Sequence, residues 1–196
     1  MFRISETILK TGQLDVMKPW YRRALEVDVL FEHGPLPSAR PGDYGGQTRA
    51  TDLRMCFFRV AGDFPFTQMI GIFEEPGTST TAIKGAPGLH HMQFMSSDFE
   101  GLIRKYEMFA AAGIKPHRSA NHGIMSSFYY RDPDGNNVEF TAQNFPTLAA
   151  MDAFMQGSYF KHNPSGVEID DPAAFVARFR AGVSVAELTH LGAAAP

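Results

Sequence analysis

Thiol chemistry is nearly absent from this chain of 196 residues, because Cys56 is its one cysteine. That excludes an intrachain disulfide and a thiolate zinc cluster. No apolar run approaches the ~18 residues of a membrane span. No basic run occurs either, and 18 Lys and Arg set against 21 Asp and Glu leave a net charge of −3. An electrostatic footprint for nucleic acid is therefore missing. The opening MFRISETILKTG lacks a long apolar core, so the expectation is a cytoplasmic protein rather than a secreted one. What is plentiful is aromatic and thioether surface, with 17 Phe, 6 Tyr and 10 Met. Reactive chemistry must then come from 7 His and the carboxylates.

The chain repeats itself. The segment from Ile4 lies over the segment from Leu89 without a gap, a shift of 85. Each copy opens with a strand-like run, Ile4–Lys10 or Leu89–Met95, followed by a helical stretch with Tyr21 or Tyr106 at the matching place. Leu14, Met17, Tyr21 and Ala24 recur at helical spacing, as do Leu102, Tyr106 and Phe109. Asp98 reads as an N-cap, and Pro19 is expected near a first turn, where a missing N–H costs least. Short strands follow at Val27–Phe31 and Ile114–His117. Hairpins come next, Leu53–Val60 with Phe66–Glu74 and Ser126–Arg131 with Asn136–Thr141, the second turning on Asp132-Pro133-Asp134-Gly135.

The expected fold class is α+β: two tandem βαβββ modules forming a curved mixed-sheet cup, with a C-terminal helical tail. The first module spans 1–75, a linker 76–88, the second module 89–141 and the tail 142–196. Short helices are expected in the tail at Ala149–Met155 and Pro172–Ala181. The Gly- and Pro-rich stretch His33–Thr51 reads as a loop.

Alternation along strands assigns faces. Ile4, Glu6 and Ile8 share one face. Leu89, His91, Gln93 and Met95 share another, with Glu6 in register with His91. Asn137, Glu139 and Thr141 share a third. Met92 with Phe94 and Val138 with Phe140 suit the helix-covered side, and His90 is expected to face the helices. Glu6, His91 and Glu139 then converge on the opposite side. Carboxylates facing one point repel one another, and a divalent cation removes that penalty. Imidazole with carboxylates suits Fe(II), Mn(II), Zn(II) or Ni(II). Met125 and Ser127 share a face with Tyr129, expected to line the substrate side. His122 precedes its strand, and an imidazole suits acid–base work. His117 and His162 are weaker candidates, and no pattern supports His33 or His190.

The runs Gly88-Leu89-His90-His91-Met92-Gln93-Phe94, Asn121-His122-Gly123, Ser127 through Asn136, Val138-Glu139 and the tail run Asn163-Pro164-Ser165-Gly166-Val167 resemble the vicinal oxygen chelate superfamily. Within it, they are most similar to the small extradiol ring-cleaving dioxygenases and their glyoxalase/bleomycin-resistance relatives. The resemblance covers about residues 3–190. It implies a cup around one divalent metal, most often Fe(II), held by two His and one Glu on the first, fifth and eighth strands. Those places are Glu6, His91 and Glu139, so the first-strand His is replaced by a carboxylate. The resemblance also implies that Tyr129, ten residues before Glu139, bonds a substrate hydroxyl. The family's acid–base His does not align with His122 to the residue. A further glyoxalase ligand position falls near Gln68.

Three functions follow. The first is a metal-dependent dioxygenase of aromatic compound catabolism, opening a small catechol-type or vicinal-oxygen substrate with O2. The second, favoured by Glu6, is a glyoxalase-like isomerase or lyase. The third is a metal-free binding protein of the same fold. The partners expected are a small molecule and, as the family implies, a second copy of the chain in a homodimer or larger homo-oligomer, with no nucleic acid and no membrane.

Overall fold

The computed structural model describes residues 3–35, 52–62, 67–81 and 88–191. Most of the loop read over His33–Thr51 and part of the linker lie outside these. The chain divides into two compact units, Met1–Pro87 with Asp132–Asn136, and Gly88–Arg131 with Asn137–Pro196.

In the first unit, β1 (Glu6–Thr11) leads through α1 (Leu14–Leu25) to β2 (Phe31–His33), β3 (Arg54–Ala61) and β4 (Gln68–Glu74). The described strands form a sheet in the order β1-β4-β3-β2, with β1 parallel to β4 and the rest antiparallel. The helix buries Leu14, Met17, Tyr21 and Ala24, the four residues its spacing singled out. They cover the sheet face that carries the buried Leu9, Cys56, Phe58, Ile70 and Ile72. Pro19 departs from expectation. It is the sixth residue of α1 and sits inside the helix, where it removes one N–H from the ladder. The apolar stripe on either side of it holds the helix in place. The hairpin tip Asp132–Asn136 packs with this unit: Asp132 Oδ2 accepts from the buried Tyr21 hydroxyl at 2.9 Å, and Asp134 Oδ1 accepts from Gln13 Nε2 at 2.6 Å.

The second unit repeats the first. β5 (Met92–Met95), α2 (Phe99–Ala111), β6 (Arg118–Asn121), β7 (Met125–Arg131) and β8 (Asn137–Gln143) follow in order, and the sheet runs β5-β8-β7-β6 with the short β9 (Val167–Glu168) at its edge. Again the outer pair, β5 with β8, is parallel. Asp98 caps α2 by accepting from Gly101 N at 2.7 Å. Met92, Phe94, Val138, Phe140, Phe128 and Tyr130 meet α2 on one face, with Phe109 edge-on to Tyr130 at 4.5 Å between centroids. The tail adds α3 (Leu148–Gln156), α4 (Ser158–His162), α5 (Pro172–Arg180) and α6 (Val185–Leu188), of which α4, α6 and β9 have no counterpart in the sequence reading.

The sheets are thus mixed and the class is α+β. Several strands begin later than their apolar patterns suggest. β5 starts at Met92, so His90 and His91 precede it, and His90 is exposed rather than turned toward the helices. Its imidazole instead meets that of His91, Nδ1 to Nδ1, at 2.7 Å.

Candidate active site

Register builds the site in the second unit. Gln93 pairs with Glu139, Glu139 with Tyr129, and Tyr129 with Arg118. These four side chains therefore form one row across four strands, on the face away from α2. The corresponding row of the first sheet is Ile8, Gly71, Phe57 and Phe31. Strand for strand, Glu6 precedes Ile8 by two residues just as His91 precedes Gln93.

Glu139 is the centre of the row. It is 2% exposed, and its Oε2 lies 3.2 Å from His91 Nε2. A carboxylate that deeply buried needs a cation or a proton close by, and the imidazole edge supplies the position for either. On its other side Glu139 neighbours Tyr129 across the β7–β8 pair. Burial, then the neighbouring Glu139 carboxylate, push the Tyr129 phenol well above its ordinary value, against smaller opposing effects of Arg118 and Ser127. Tyr129 is therefore a protonated donor across the physiological range.

Tyr129 has a second partner. Its hydroxyl is 2.8 Å from His122 Nε2, while His122 Nδ1 is 2.8 Å from the carbonyl oxygen of Ser165. The Arg118 guanidinium lies over the Tyr129 ring at 5.0 Å and is held from behind by Glu168, with Nη2 to Oε1 at 2.6 Å. Ser127 is buried on the same face and donates to Thr141 Oγ1 at 3.1 Å. Met125 receives a hydrogen bond on its sulfur from Gln93 Nε2 at 3.3 Å.

The second unit thus brings His91, Glu139, Tyr129, His122, Ser127 and Met125 to one face. Glu6 is an exposed residue at the start of β1, in the first unit. It shares its face with Met69 and Arg59. Gln68 is one residue from Met69 and so takes the opposite face. Among the described residues no three His, Cys, Asp or Glu side chains group closely enough to hold a metal by themselves. The two donors His91 and Glu139 nevertheless fit a divalent cation, being an imidazole nitrogen and a buried anionic oxygen aimed at each other.

Gln93, Arg118 and the Ser165 carbonyl were not assigned roles by sequence. Gln93 was legible, since it alternates with His91. Arg118 and Ser165 depend on where β6 and the tail pack, which no local pattern encodes. His117 bonds Asn137 Oδ1 at 3.0 Å, and His162 bonds the Ser158 carbonyl within its own helix at 2.8 Å.

The pattern of a family described as the Glyoxalase/Bleomycin resistance protein/Dioxygenase superfamily matches residues 3–140. The chain belongs to this superfamily. It is 28% identical over 188 residues to a Rhodococcus globerulus protein named biphenyl-2,3-diol 1,2-dioxygenase 2, covering 95% of this chain and 86% of the relative. A second protein of that organism, biphenyl-2,3-diol 1,2-dioxygenase 3, is 30% identical over 188 residues, covering 95% and 87%. Solved structures share the fold. A glyoxylase/bleomycin resistance protein/dioxygenase domain from Frankia sp. EAN1pec superposes with a TM-score of 0.56 at 19% identity, over 73% of this chain and 98% of that one. A glyoxalase family protein from Enterococcus faecalis gives 0.50 at 18%, over 71% and 96%. The superfamily includes dioxygenases, and both Rhodococcus relatives carry that name. Among the described residues no helix is long and apolar enough to cross a membrane.

Proposed function

We propose that the chain is a metal-dependent dioxygenase of the extradiol type, cleaving the ring of a small catechol with O2. The observation that carries this reading is the arrangement of Tyr129 between the metal-donor pair His91 and Glu139 on one side and His122 on the other. The names of the two Rhodococcus relatives support the same class.

In this reading His91 and Glu139 hold the cation, and Glu6 gives the third donor from the first unit. Fe(II) is the metal of the reading, with Mn(II), Zn(II) and Ni(II) as competitors for the same donors. A divalent cation there lowers the pKa of two vicinal oxygens and stabilises their anionic form. Tyr129 orients a substrate hydroxyl through its own oxygen. Met125, Ser127 and Gln93 line the same face beside it. Gln68 alternates onto the face opposite Glu6, so the substrate role expected of it has no place in this reading.

The test is oxygen uptake by Fe(II)-loaded protein with a panel of catechols that includes 2,3-dihydroxybiphenyl. Stoichiometric uptake with a ring-opened product is expected. If no oxygen is consumed and a hemithioacetal is isomerised instead, the reaction is of the glyoxalase kind. Glu6 favours that second reading, because a carboxylate in place of a His lowers the charge a bound catecholate meets. Binding of an aromatic ligand by protein that takes up none of the four metals would overturn both.

A further inference from the structure

The C-terminal tail converges on one three-residue turn. β6 ends at Asn121; His122 and Gly123 begin the link to β7, and tail residues hold each of these three. The buried Asn121 donates from Nδ2 to the Thr189 carbonyl at 2.8 Å. Its Oδ1 accepts from Gly123 N at 2.9 Å and from Asn144 Nδ2 at 2.8 Å. Asn144 Nδ2 also donates to the Gly123 carbonyl, at 2.9 Å, and its Oδ1 accepts from Ser126 Oγ. Phe154 of α3 presses on Gly123, where an added Cβ would come within 2.6 Å of the ring. Gly166 lies against the backbone, where a Cβ would strike the Asn121 carbonyl oxygen and approach His122 Cα at 2.5 Å. Gly166 also has φ +73°, the left-handed region.

The residue at the middle of this turn is His122. Its ring has two polar partners, Tyr129 from β7 and the Ser165 carbonyl from the tail. A carbonyl oxygen only accepts, so Nδ1 of His122 must carry a proton. In the neutral imidazole Nε2 is then bare, and its lone pair points at the Tyr129 hydroxyl.

We infer that the tail segment Asn163–Val167 is a positioning device that fixes the Nδ1–H tautomer of His122 through the Ser165 carbonyl, so that Nε2 is left as the acceptor that orients the Tyr129 hydroxyl. The kinetic part of its test rests on the catechol reading; the tautomer does not. Asn163 shapes the device, since its Nδ2 donates to the Gly166 carbonyl at 3.0 Å and its carbonyl accepts from Gly166 N at 3.2 Å.

The test uses full-length, metal-free protein labelled with 15N in its histidine rings, at a pH above ~8, where an ordinary imidazole is neutral. Long-range proton–nitrogen correlation is expected to show His122 Nδ1 protonated and Nε2 bare. Gly166→Ala, which must displace Ser165, is expected to convert His122 to a mixture of tautomers, and Asn163→Ala to do so in part. With Fe(II) and catechol, kcat should fall about 10-fold in Gly166→Ala with KM little changed, because Tyr129 loses the acceptor that orients its hydroxyl. A wild-type ring with its proton on Nε2 would overturn the inference. So would an unchanged tautomer in whichever of the two variants folds, judged by its strand amides. Absence of any catechol turnover, with the tautomer as stated, would instead count against the dioxygenase reading alone.

Discussion

His91 and Glu139 face each other across 3.2 Å, an imidazole nitrogen and a carboxylate oxygen with the carboxylate almost wholly out of water. Removing the imidazole leaves that carboxylate without the partner on its open side, whereas removing the carboxylate relieves the burial. The two losses are therefore unequal in their effect on folding, though both abolish a donor.

His91→Ala is expected to lower metal-free stability by ~1–3 kcal/mol, the cost of stranding a buried polar group. Glu139→Gln keeps the shape and a hydrogen-bond acceptor and is expected to cost less. Urea unfolding without metal separates them, and both variants should bind Fe(II) or Mn(II) at least tenfold more weakly by calorimetry.

Glu6→Ala tests the donor proposed from the first unit. It should weaken metal binding about as much as Glu139→Gln while leaving metal-free stability unchanged, because Glu6 is exposed. Glu6→His should restore binding. Wild-type metal affinity in Glu6→Ala would remove Glu6 from the ligand set.

Tyr129→Phe deletes the hydroxyl that meets His122 Nε2 at 2.8 Å. In wild type the phenol is held protonated, so difference absorbance between wild type and Tyr129→Phe should show no phenolate step near the ordinary value of ~10. A step at that pH would mean that the phenol is not desolvated. Catechol turnover in Tyr129→Phe should fall by about 10- to 10²-fold.

Cys56 is buried in the first sheet, and burial, then the nearby Glu32 carboxylate, push its thiol up to about 11. The folded state thus keeps a proton that the unfolded chain gives up from about 9. The stability this contributes is full below that value and is lost as pH rises toward 11. A Cys56→Ser variant should lack this alkaline fall, and the native thiol should resist disulfide reagents at pH 8 until the protein unfolds.

Sequence periodicity carried far where contacts are local or repeat along a strand. The stripe of α1, the cap at Asp98 and the two faces of β7 and β8 follow from spacing alone. Pro19 shows where propensity yields to packing: four buried side chains hold a helix that its proline opposes. His90 shows how an apolar run overstates a strand, since pairing with β8 begins only at Met92. The partners of Asn121 and His122 lie 68 and 43 residues away, at Thr189 and Ser165. Nothing near either residue announces them, because a carbonyl acceptor has no sequence of its own.

The two rows of matched positions have a consequence for how this chain can change. Where the second sheet has Glu139, the first has Gly71, and an added Cβ there would strike Ile8 Cδ1 and lie 2.8 Å from the Phe57 ring. The duplicate has filled the carboxylate's place with hydrocarbon. A carboxylate therefore cannot stand at Gly71 unless Ile8 and Phe57 move. On the reading proposed above, the two halves cannot exchange roles by one substitution: the second keeps the buried acid, and the first contributes Glu6 beside an apolar row.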